Sequence, residues 1–378
     1  MGHIVINGLS LRPGGGLQVM TAILAGLISK DRGHHYTVLW SDLNTGKFLK
    51  NRFGKETNIT FLDPVGTSNN MKLFLWQMSR LKGCLVKLNA DIMIGLNHHF
   101  PSGVIPQIIY HVNVLRFDRP QKAIFSGGEL ADRLRDWRAR KALKSAQANV
   151  FESSYLQELA SACVKNIVNP SLIYIGLENP ADIIPTAFIK TNNPTILSLT
   201  SPQLHKDNPT LIKTLAVLKT RRPEVNWTLK IAGGTNPDAF SDLHELAGEL
   251  GVADYIDWLG FQNHEALAQI GSKALCLVST SQVESFCMVA VEAMSWSCPA
   301  IVANATSMPE SIGDAGRLAN VGDADDFADK IIEIYDDINL RQALVNKGHA
   351  HIKALTWESA ADSFENIVSA LKPARKVM

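Results

Sequence analysis

The sequence predicts an α/β protein built from two doubly wound parallel sheets, one in each half of the chain. Short apolar runs recur from end to end, and amphipathic helical stretches separate them. Such runs are typical of parallel strands, which are buried because helices cover both faces of their sheet. The length of 378 residues exceeds the usual size of a single hydrophobic core, so we expect two domains.

The apolar runs predict six strands in the first half and five in the second. They cover residues 3–7, 36–40, 59–62, 91–96, 107–112 and 149–152, then 195–200, 228–232, 255–259, 274–279 and 300–303. Prolines and polar residues cluster in 169–182, where the periodicity lapses, so the domain join is placed near residue 175. The predicted domains are therefore 1–175 and 176–356.

Composition excludes several classes of protein. Apolar residues make up 46% and charged residues 19%, which fits a packed protein and argues against a disordered chain or a coiled coil. No apolar run approaches the ~18 residues of a membrane helix, and the first residues lack a signal peptide's pattern. A cytoplasmic protein is expected. Five cysteines without a CxxC pair predict neither a disulfide framework nor a zinc site.

The two halves carry opposite charge. Residues 1–175 hold 21 Lys and Arg against 11 Asp and Glu, a balance of +10, and the remainder holds 16 against 25, a balance of −9. A predicted helix supplies part of the positive excess through Arg133, Arg135, Arg138, Arg140, Lys141 and Lys144. This pattern is typical of a solvated helix face, and equally of a surface that meets anionic lipid or a phosphate-bearing substrate. Nucleic acid is disfavoured because no aromatic residues interleave a basic groove.

A glycine loop follows the first predicted strand. Gly14, Gly15 and Gly16 stand before a helical stretch, where backbone can approach a ligand and the helix start offers N–H groups to an anion. The loop matches neither the dinucleotide pattern GxGxxG nor a Walker loop. A plain tight turn accounts for it as well, and a dinucleotide-dependent dehydrogenase is the least favoured enzyme class.

Residues 274–310 predict a strand, a loop, a helix and a second strand, with Glu284 before the helix and Glu292 two turns inside it. If Ser285 caps the helix, the following amides face a position where the helix dipole favours phosphate. A diphosphate between two carboxylate acceptors would suit a nucleotide sugar, although glutamates at this spacing are also typical of a solvated helix face. The amides concerned belong to Phe286, Cys287 and Met288.

The pattern Glu284-x7-Glu292, followed by Pro309-Glu310, resembles the retaining glycosyltransferases of family 4. Further landmarks lie in the expected order at 14–16, 109–111, 195–197, 205–206, 229–233 and 258–261, and in a closing helix from Trp357. The resemblance implies the GT-B fold, in which two Rossmann-like domains face each other across a cleft. It also implies that residues 357–378 pack back onto the first domain.

The resemblance further implies retaining transfer of a hexosyl unit from a UDP- or GDP-linked sugar. The expected product is a growing cell-surface polysaccharide such as lipopolysaccharide. The expected acceptor is either a glycan or a glycan linked to polyprenyl diphosphate. Together with the basic first half, this places the enzyme at the inner face of the cytoplasmic membrane, in peripheral contact with anionic lipid. No metal or cofactor is expected.

Residue roles are also implied by the resemblance. Glu284 would contact the donor sugar, Lys206 would neutralise the diphosphate as the sugar–phosphate bond breaks, and His111 would lie near the reacting sugar. Taken alone, Lys206 is typical of a surface lysine and His111 of a satisfied core histidine. The expected substrate-binding residues are Gly14, Gly15, Gly16, Ser201, Gly233, Phe261, Ser285, Phe286, Cys287, Met288 and Glu292, the last for the ribose hydroxyls.

The sequence departs from the family pattern at two places. Ser201 stands where most members carry an arginine, and Ser285 and Cys287 stand in a loop that usually contains glycines. Two alternatives stay open, and the departures motivate the first of them. One is a catalytically weak binding subunit that holds a nucleotide sugar for a partner, and the other is an epimerase or phosphorylase with the same fold.

Overall fold

A computed structural model of the chain describes residues 2–11, 15–29, 33–66, 70–97, 103–117, 128–178, 191–234 and 240–371. The chain divides into two compact units, one formed by Met1–Glu178 with Leu355–Met378 and the other by Asn179–Ala354. The described strands of each unit form one parallel sheet. The predicted α/β class, with alternating strands and helices in both halves, is confirmed.

The sheet of the first unit has seven strands in the order β3-β2-β1-β4-β5-β6-β7. The strands are β1 (His3–Asn7), β2 (His35–Leu39), β3 (Ile59–Leu62), β4 (Ile92–Leu96), β5 (Gln107–His111), β6 (Ala148–Phe151) and β7 (Pro170–Leu172). The helices are α1 (Gly15–Ser29), α2 (Leu43–Phe53), α3 (Asn70–Ser79), α4 (Leu81–Lys87), α5 (Gly128–Ser145), α6 (Ser154–Cys163) and α14 (Trp357–Ala370).

Strand β7 corrects the sequence analysis, which placed residues 170–172 in the join between domains. These residues pair in parallel with β6 at the edge of the sheet. Pro170 opens the strand, and an edge strand tolerates proline because its missing N–H need not join a ladder. Three residues are too few to show the periodicity by which longer strands are recognised.

Helix α14 packs on α1 within the first unit. A Cβ atom at Gly26 of α1 would lie 2.5 Å from the carbonyl oxygen of Trp357 and 2.6 Å from the Cβ of Ala361. Glycine at this position therefore permits a close crossing of the two helices. The Phe364 ring meets Tyr110 edge-on at 5.3 Å, so α14 completes the core on this face of the sheet. Helices α3 and α4 contribute Leu73, Leu81 and Leu85 to a second cluster that includes Val5 and Met93.

The sheet of the second unit has six strands in the order β10-β9-β8-β11-β12-β13. The strands are β8 (Thr195–Leu199), β9 (Thr228–Ala232), β10 (Ile256–Gly260), β11 (Cys276–Ser279), β12 (Ala300–Ala303) and β13 (Gly316–Ala319). The helices are α7 (Asn208–Arg221), α8 (Ser241–Glu249), α9 (His264–Gly271), α10 (Met288–Ser295), α11 (Met308–Ile312), α12 (Ala324–Asp336) and α13 (Ile338–Ile352).

The strand order of this second sheet reverses between β8 and β11, which pair in parallel although they are not consecutive. In an open parallel sheet the connections on either side of such a reversal leave in opposite directions. They open a crevice outside the carboxyl ends of the two strands, which is the usual ligand site of this architecture. We therefore expect a ligand site at the segments that follow Leu199 and Ser279.

Candidate functional site

The crevice of the second unit contains an ion pair between the two segments that follow β8 and β11. Lys206 ends a 3-10 turn, Leu204–Lys206, and its Nζ donates to Oε1 of Glu284 at 2.6 Å. The two side chains are 23% and 17% exposed, respectively. A charge-assisted hydrogen bond that is this well shielded is stronger and more ordered than a surface pair.

Hydroxyl groups after β11 fasten the turn that carries Lys206. Thr280 Oγ1 lies 3.1 Å from the carbonyl oxygen of Lys206 and 2.9 Å from that of Asp207, so it shares its proton between them. Ser281 Oγ donates to the carbonyl of His205 at 3.2 Å, and Gln282 N–H donates to the same carbonyl at 2.7 Å. The loop after β8 and the loop after β11 are therefore held together by hydrogen bonds.

Glu284 is also held through its backbone. Its N–H donates to Thr306 Oγ1 at 3.0 Å, and its carbonyl accepts from Ser307 Oγ at 2.8 Å. Both partners belong to the loop between β12 and α11. The carboxylate of Glu284 is thus presented from a backbone fixed on both sides.

The start of α10 differs from the predicted one. The capping residue is Cys287, not Ser285, and its backbone is left-handed with φ 57° and ψ 54°. A non-glycine residue adopts this conformation only where surrounding contacts compensate its strain, which a sequence pattern does not reveal. The free amides of the first helical turn consequently begin at Met288, and Phe286 belongs to the loop.

The side chains of Phe286 and Cys287 are buried, each 3% exposed, and face the protein interior. Burial raises the pKa of the Cys287 thiol to about 12, so this thiol stays neutral. Ser285 and Met288 are half-buried. Any contribution of Phe286 and Cys287 to a ligand would therefore come from their backbone.

Glu292 lies four residues after the start of α10, hence about one turn inside the helix rather than the predicted two. Its side chain is half-buried, and within the described part of the chain no hydrogen bond or ion pair to its carboxylate is found. Desolvation raises the pKa of this carboxyl group to about 7. The neutral and the ionised forms of the Glu292 carboxyl group are therefore both populated at physiological pH.

Three further predicted residues lie directly after the carboxyl ends of three neighbouring strands. Gly233, after β9, has φ +124°, and a Cβ there would lie 1.8 Å from the carbonyl oxygen of Thr200. Phe261, after β10, is 73% exposed. Ser201, after β8, is half-buried, and its carbonyl accepts from Asn208 Nδ2 at 2.8 Å. Ser201, Gly233 and Phe261 thus lie at the carboxyl ends of the strands, as does the loop that carries Lys206.

His111 lies in the first unit at the carboxyl end of β5 and is 1% exposed. Its Nε2 lies 3.0 Å from Asn149 Oδ1, and Asn149 Nδ2 donates to the carbonyls of Leu143 and Val168. The amide oxygen of Asn149 is therefore the acceptor, which puts the proton on Nε2 of His111. Burial lowers the pKa of His111 to about 4. The surroundings are those of a satisfied core histidine, and its role near a sugar remains a prediction.

The glycine loop of the first unit is described only in part. Gly14 lies outside the described residues. Gly15 opens α1 and is exposed, and a Cβ there would meet nothing within 4 Å. At Gly16 the nearest atom to such a Cβ would be Leu11 Cδ2 at 3.4 Å. No neighbouring protein atom in the described structure requires glycine at these two positions, and their ligand-binding role stays a prediction.

The described ranges contain no set of three or more His, Cys, Asp or Glu residues able to hold a metal ion. An Asp-x-Asp pattern occurs at Asp323-Ala324-Asp325, where Asp323 caps α12 and Asp325 pairs with Arg221. All five cysteines are free thiols. None of the helices in the described ranges is long and apolar enough to cross a membrane.

Residues 181–351 match the protein family described as Glycosyl transferases group 1. We refer to the matched residues 181–351 as the group 1 domain. The group 1 domain contains Lys206, Glu284 and Glu292, together with Thr280 and the other groups that hold the ion pair in place.

Two relatives are similar to part of this chain. The D-inositol 3-phosphate glycosyltransferase of Corynebacterium aurimucosum is 31% identical over 172 residues, which cover 44% of this chain and 40% of that relative. The O-antigen chain mannosyltransferase B of Escherichia coli is 33% identical over 105 residues, 28% of each chain. The chain thus spans about two fifths of the first relative's length.

Among solved structures, Anabaena Alr3699/HepE in complex with UDP and glucose is similar over 98% of this chain and 100% of its own. The TM-score is 0.75 and the sequence identity is 19%. At this identity the similarity shows the fold alone. The chain has the GT-B fold, as the sequence analysis predicted.

Four residues that support the ion pair were not predicted from the sequence: Thr280, Ser281, Thr306 and Ser307. A signal for the first two was present, because a run of hydroxyl residues at 279–281 directly follows a buried strand. Polar residues at the carboxyl end of a parallel strand commonly face a ligand site. Thr306 and Ser307 lacked any comparable signal, since only the fold brings their loop to Glu284.

Proposed function

We propose that the chain is a retaining glycosyltransferase that moves a hexosyl unit from a UDP- or GDP-linked sugar to a growing, lipid-linked cell-surface polysaccharide. The observation that carries the proposal is the Lys206–Glu284 pair, which lies in the β8/β11 crevice of the group 1 domain. A fixed cation beside a carboxylate suits a ligand with a diphosphate at one end and sugar hydroxyls at the other.

Donor binding would exchange the partners of this ion pair. A diphosphate carries more negative charge than one carboxylate, so it would attract the ammonium group of Lys206. The carboxylate of Glu284 would then accept hydrogen bonds from hydroxyls of the donor sugar. Because both backbones are fixed by Thr280, Thr306 and Ser307, the exchange needs movement of the two side chains only.

Glu292 would bind the ribose. Its carboxylate is half-buried, and the two adjacent hydroxyls of a ribose are donors that a single ionised carboxylate can accept together. Hydrogen bonds to the charged form favour that form, so binding would lower the pKa of Glu292 from its raised value. Recognition of the nucleotide would thus be coupled to release of a proton.

The proposed chemistry is a front-face displacement. The acceptor hydroxyl forms a bond to the anomeric carbon on the face from which the diphosphate departs, and the bond between that carbon and the diphosphate oxygen breaks. The departing diphosphate takes the proton of the acceptor hydroxyl, so the configuration is retained without a carboxylate nucleophile. Lys206 stabilises the negative charge that develops on the diphosphate, and the site otherwise supplies positioning.

The acceptor class is supported by one relative, whose name describes a mannosyltransferase of an O-antigen chain. We infer a polysaccharide acceptor on a lipid carrier, and with it a cytoplasmic enzyme in peripheral contact with the membrane. The basic excess of residues 1–175 supports this location, because it is complementary to the anionic cytoplasmic leaflet. The proposed reaction uses no metal or cofactor, since Lys206 provides the stabilising charge.

A second candidate is a catalytically weak subunit that binds a nucleotide sugar for a partner. Ser201 favours this candidate, because it stands where the family resemblance places a second cation. Its carbonyl is bound to Asn208, and only Lys206 of the two expected cations is present. A single cation offers less stabilisation to a leaving diphosphate than two would.

The deciding experiment uses the purified full chain. Thermal unfolding with UDP, GDP and their common sugar conjugates should identify one conjugate that raises the unfolding temperature. Turnover of that conjugate with a water-soluble glycan acceptor should yield a product with the donor's anomeric configuration, measured by NMR. Binding without turnover would favour the subunit, and isomerised donor in the absence of acceptor would favour an epimerase. If no conjugate binds, the proposed function is wrong.

A further inference from the structure

Helix α3 exposes apolar side chains on the face turned away from the core. Met71, Leu75 and Met78 are 65%, 56% and 55% exposed, and their spacing of four and three places them on one side of the helix. Leu73 points the other way, 4% exposed, into the core beneath the helix. A helix that is apolar on both sides is normally covered on both sides.

The charged residues in the segment that carries this stripe are all basic. Residues 70–90 contain Lys72, Arg80, Lys82 and Lys87 and neither Asp nor Glu. Val86 of the adjoining helix α4 adds a further apolar side chain, 59% exposed. The segment therefore combines exposed apolar groups with four positive charges.

Helix α5 extends the surface. The guanidinium group of Arg138 lies 5.3 Å from the ring centre of Phe74, which places α5 beside α3. Trp137 of α5 is 51% exposed, and Lys141 Nζ lies 5.0 Å from its ring centre. Tryptophan and basic side chains are the residues that settle at the level of lipid headgroups.

We propose that this surface, formed by Met71, Leu75, Met78, Val86 and Trp137 and here called the α3 surface, docks onto an anionic lipid bilayer. Its apolar side chains would enter the boundary between headgroups and acyl chains, and the surrounding Lys and Arg residues would contact lipid phosphates. The inference deepens the proposed function, because a lipid-linked acceptor must be met at a membrane.

Charge decides between a bilayer and a second copy of the chain. A symmetric dimer through the α3 surface would place the same patch on both sides, and with it Lys82 and Lys87 near their own counterparts. Like charges across an interface oppose association, whereas anionic headgroups neutralise them. A bilayer also accepts a convex helix stripe without requiring a complementary groove.

The test is co-sedimentation of the full chain with vesicles of phosphatidylcholine alone and of phosphatidylcholine mixed with phosphatidylglycerol. The wild type should bind the mixed vesicles, bind the neutral ones more weakly, and lose binding as salt is added. The triple variant Met71→Ser, Leu75→Ser, Met78→Ser should reduce partitioning by about ten-fold or more, because its apolar contacts with lipid are lost. The double variant Lys82→Glu, Lys87→Glu should lose the preference for phosphatidylglycerol.

A matched control replaces exposed apolar residues of the second unit: Leu250→Ser, Val321→Ser, Ile338→Ser. It should bind vesicles as the wild type does, and unchanged thermal unfolding would show that each variant is folded. Equal vesicle binding by the wild type and the α3 triple variant would overturn the inference. So would a dimer of the wild type that the triple variant abolishes, because the occupant would then be a second copy.

The outcome is separable from that of the proposed function. Nucleotide binding and transfer to a water-soluble acceptor do not involve the α3 surface, so the triple variant should retain both. Transfer without vesicle binding would contradict the docking inference alone. Vesicle binding without nucleotide binding would contradict the proposed function alone.

Discussion

Lys206 Nζ lies 2.6 Å from Glu284 Oε1, although 78 positions separate the two residues in the sequence. The pair joins the loops that follow β8 and β11, the two strands at which the order of the second sheet reverses. The ion pair is partly buried, and hydrogen bonds fix the backbone of both residues. The two charges are therefore already in place before a ligand binds.

We expect Lys206→Met to lower turnover by about 10²–10³-fold, because the cation acts where negative charge develops in the transition state. Nucleotide affinity should fall much less. Glu284→Gln should also lower turnover while leaving the affinity for UDP or GDP alone nearly unchanged, since Glu284 is assigned to the sugar. Steady-state kinetics and calorimetric titration measure the two quantities. Lys213→Met, an exposed lysine of α7, is the control, and equal losses in it and in Lys206→Met would contradict the assignment.

Glu292 should make donor binding depend on pH. Its pKa of about 7 means that binding of ribose to the ionised form strengthens as pH rises from 6 to 8, by about ten-fold as ionisation becomes nearly complete. A nucleotide sugar is the appropriate probe, because its diphosphate does not titrate in this range. Glu292→Gln should bind more weakly and show no such pH dependence; an unchanged affinity at pH 8 would refute the ribose assignment.

The same residue should lower stability at high pH. The pKa of Glu292 is higher in the folded protein than its ordinary value, so the folded state binds more protons and loses stability as pH rises from about 4.5 to about 7. Glu292→Gln should therefore unfold at a higher temperature than the wild type at pH 8. The difference should shrink toward pH 4, which calorimetry would detect.

Thr280 should act as a positioning residue for Lys206. Thr280→Val keeps the shape of this buried side chain but removes the donor shared by the carbonyls of Lys206 and Asp207. Turnover should fall about ten-fold or more with little change in KM, and Thr280→Ser should restore it. Thr214→Val, which removes a hydroxyl bonded within α7, is the matched control. If the serine variant fails to rescue turnover, the hydroxyl is not the group responsible.

Gly233→Ala should disturb the backbone at the carboxyl end of strand β9. Its Cβ would lie 1.8 Å from the carbonyl oxygen of Thr200, and its φ of +124° is rarely adopted by residues with side chains. The expected cost is at least about 1 kcal/mol of stability, together with weaker nucleotide binding. Gly248→Ala in α8 is the control, because a Cβ there meets open space and alanine favours a helix. Denaturant unfolding of the two variants should move in opposite directions.

His111 should contribute to acid sensitivity. Its pKa of about 4 in the folded protein is below the ordinary value of 6.5, so the unfolded state binds more protons between these values. Stability present above pH 6.5 is therefore lost as pH falls toward 4. His111→Gln keeps a donor for Asn149 and does not titrate, so its unfolding temperature should fall less over this interval. Parallel curves for the two proteins would show that His111 is not the group that titrates.

Much of the fold could be predicted because strand and helix signals are local. Buried parallel strands are continuous apolar runs, and eleven of them were recognised from the sequence. Strands β7 and β13 were missed because they are short and carry polar residues such as Ser171 and Arg317. The start of α10 was misplaced because the left-handed backbone of Cys287 depends on its surroundings and not on its residue type.

The sequence by itself determined which residue types are available and how strands alternate with helices, since both depend on neighbours along the chain. It also showed that charge differs between the halves. Only the tertiary structure decided the strand order, the partner of Lys206, and which side of α3 is left uncovered. The physical reason is that these features arise from packing between distant segments, whose free energy is gained only after the sheet has assembled and is not encoded in any local pattern.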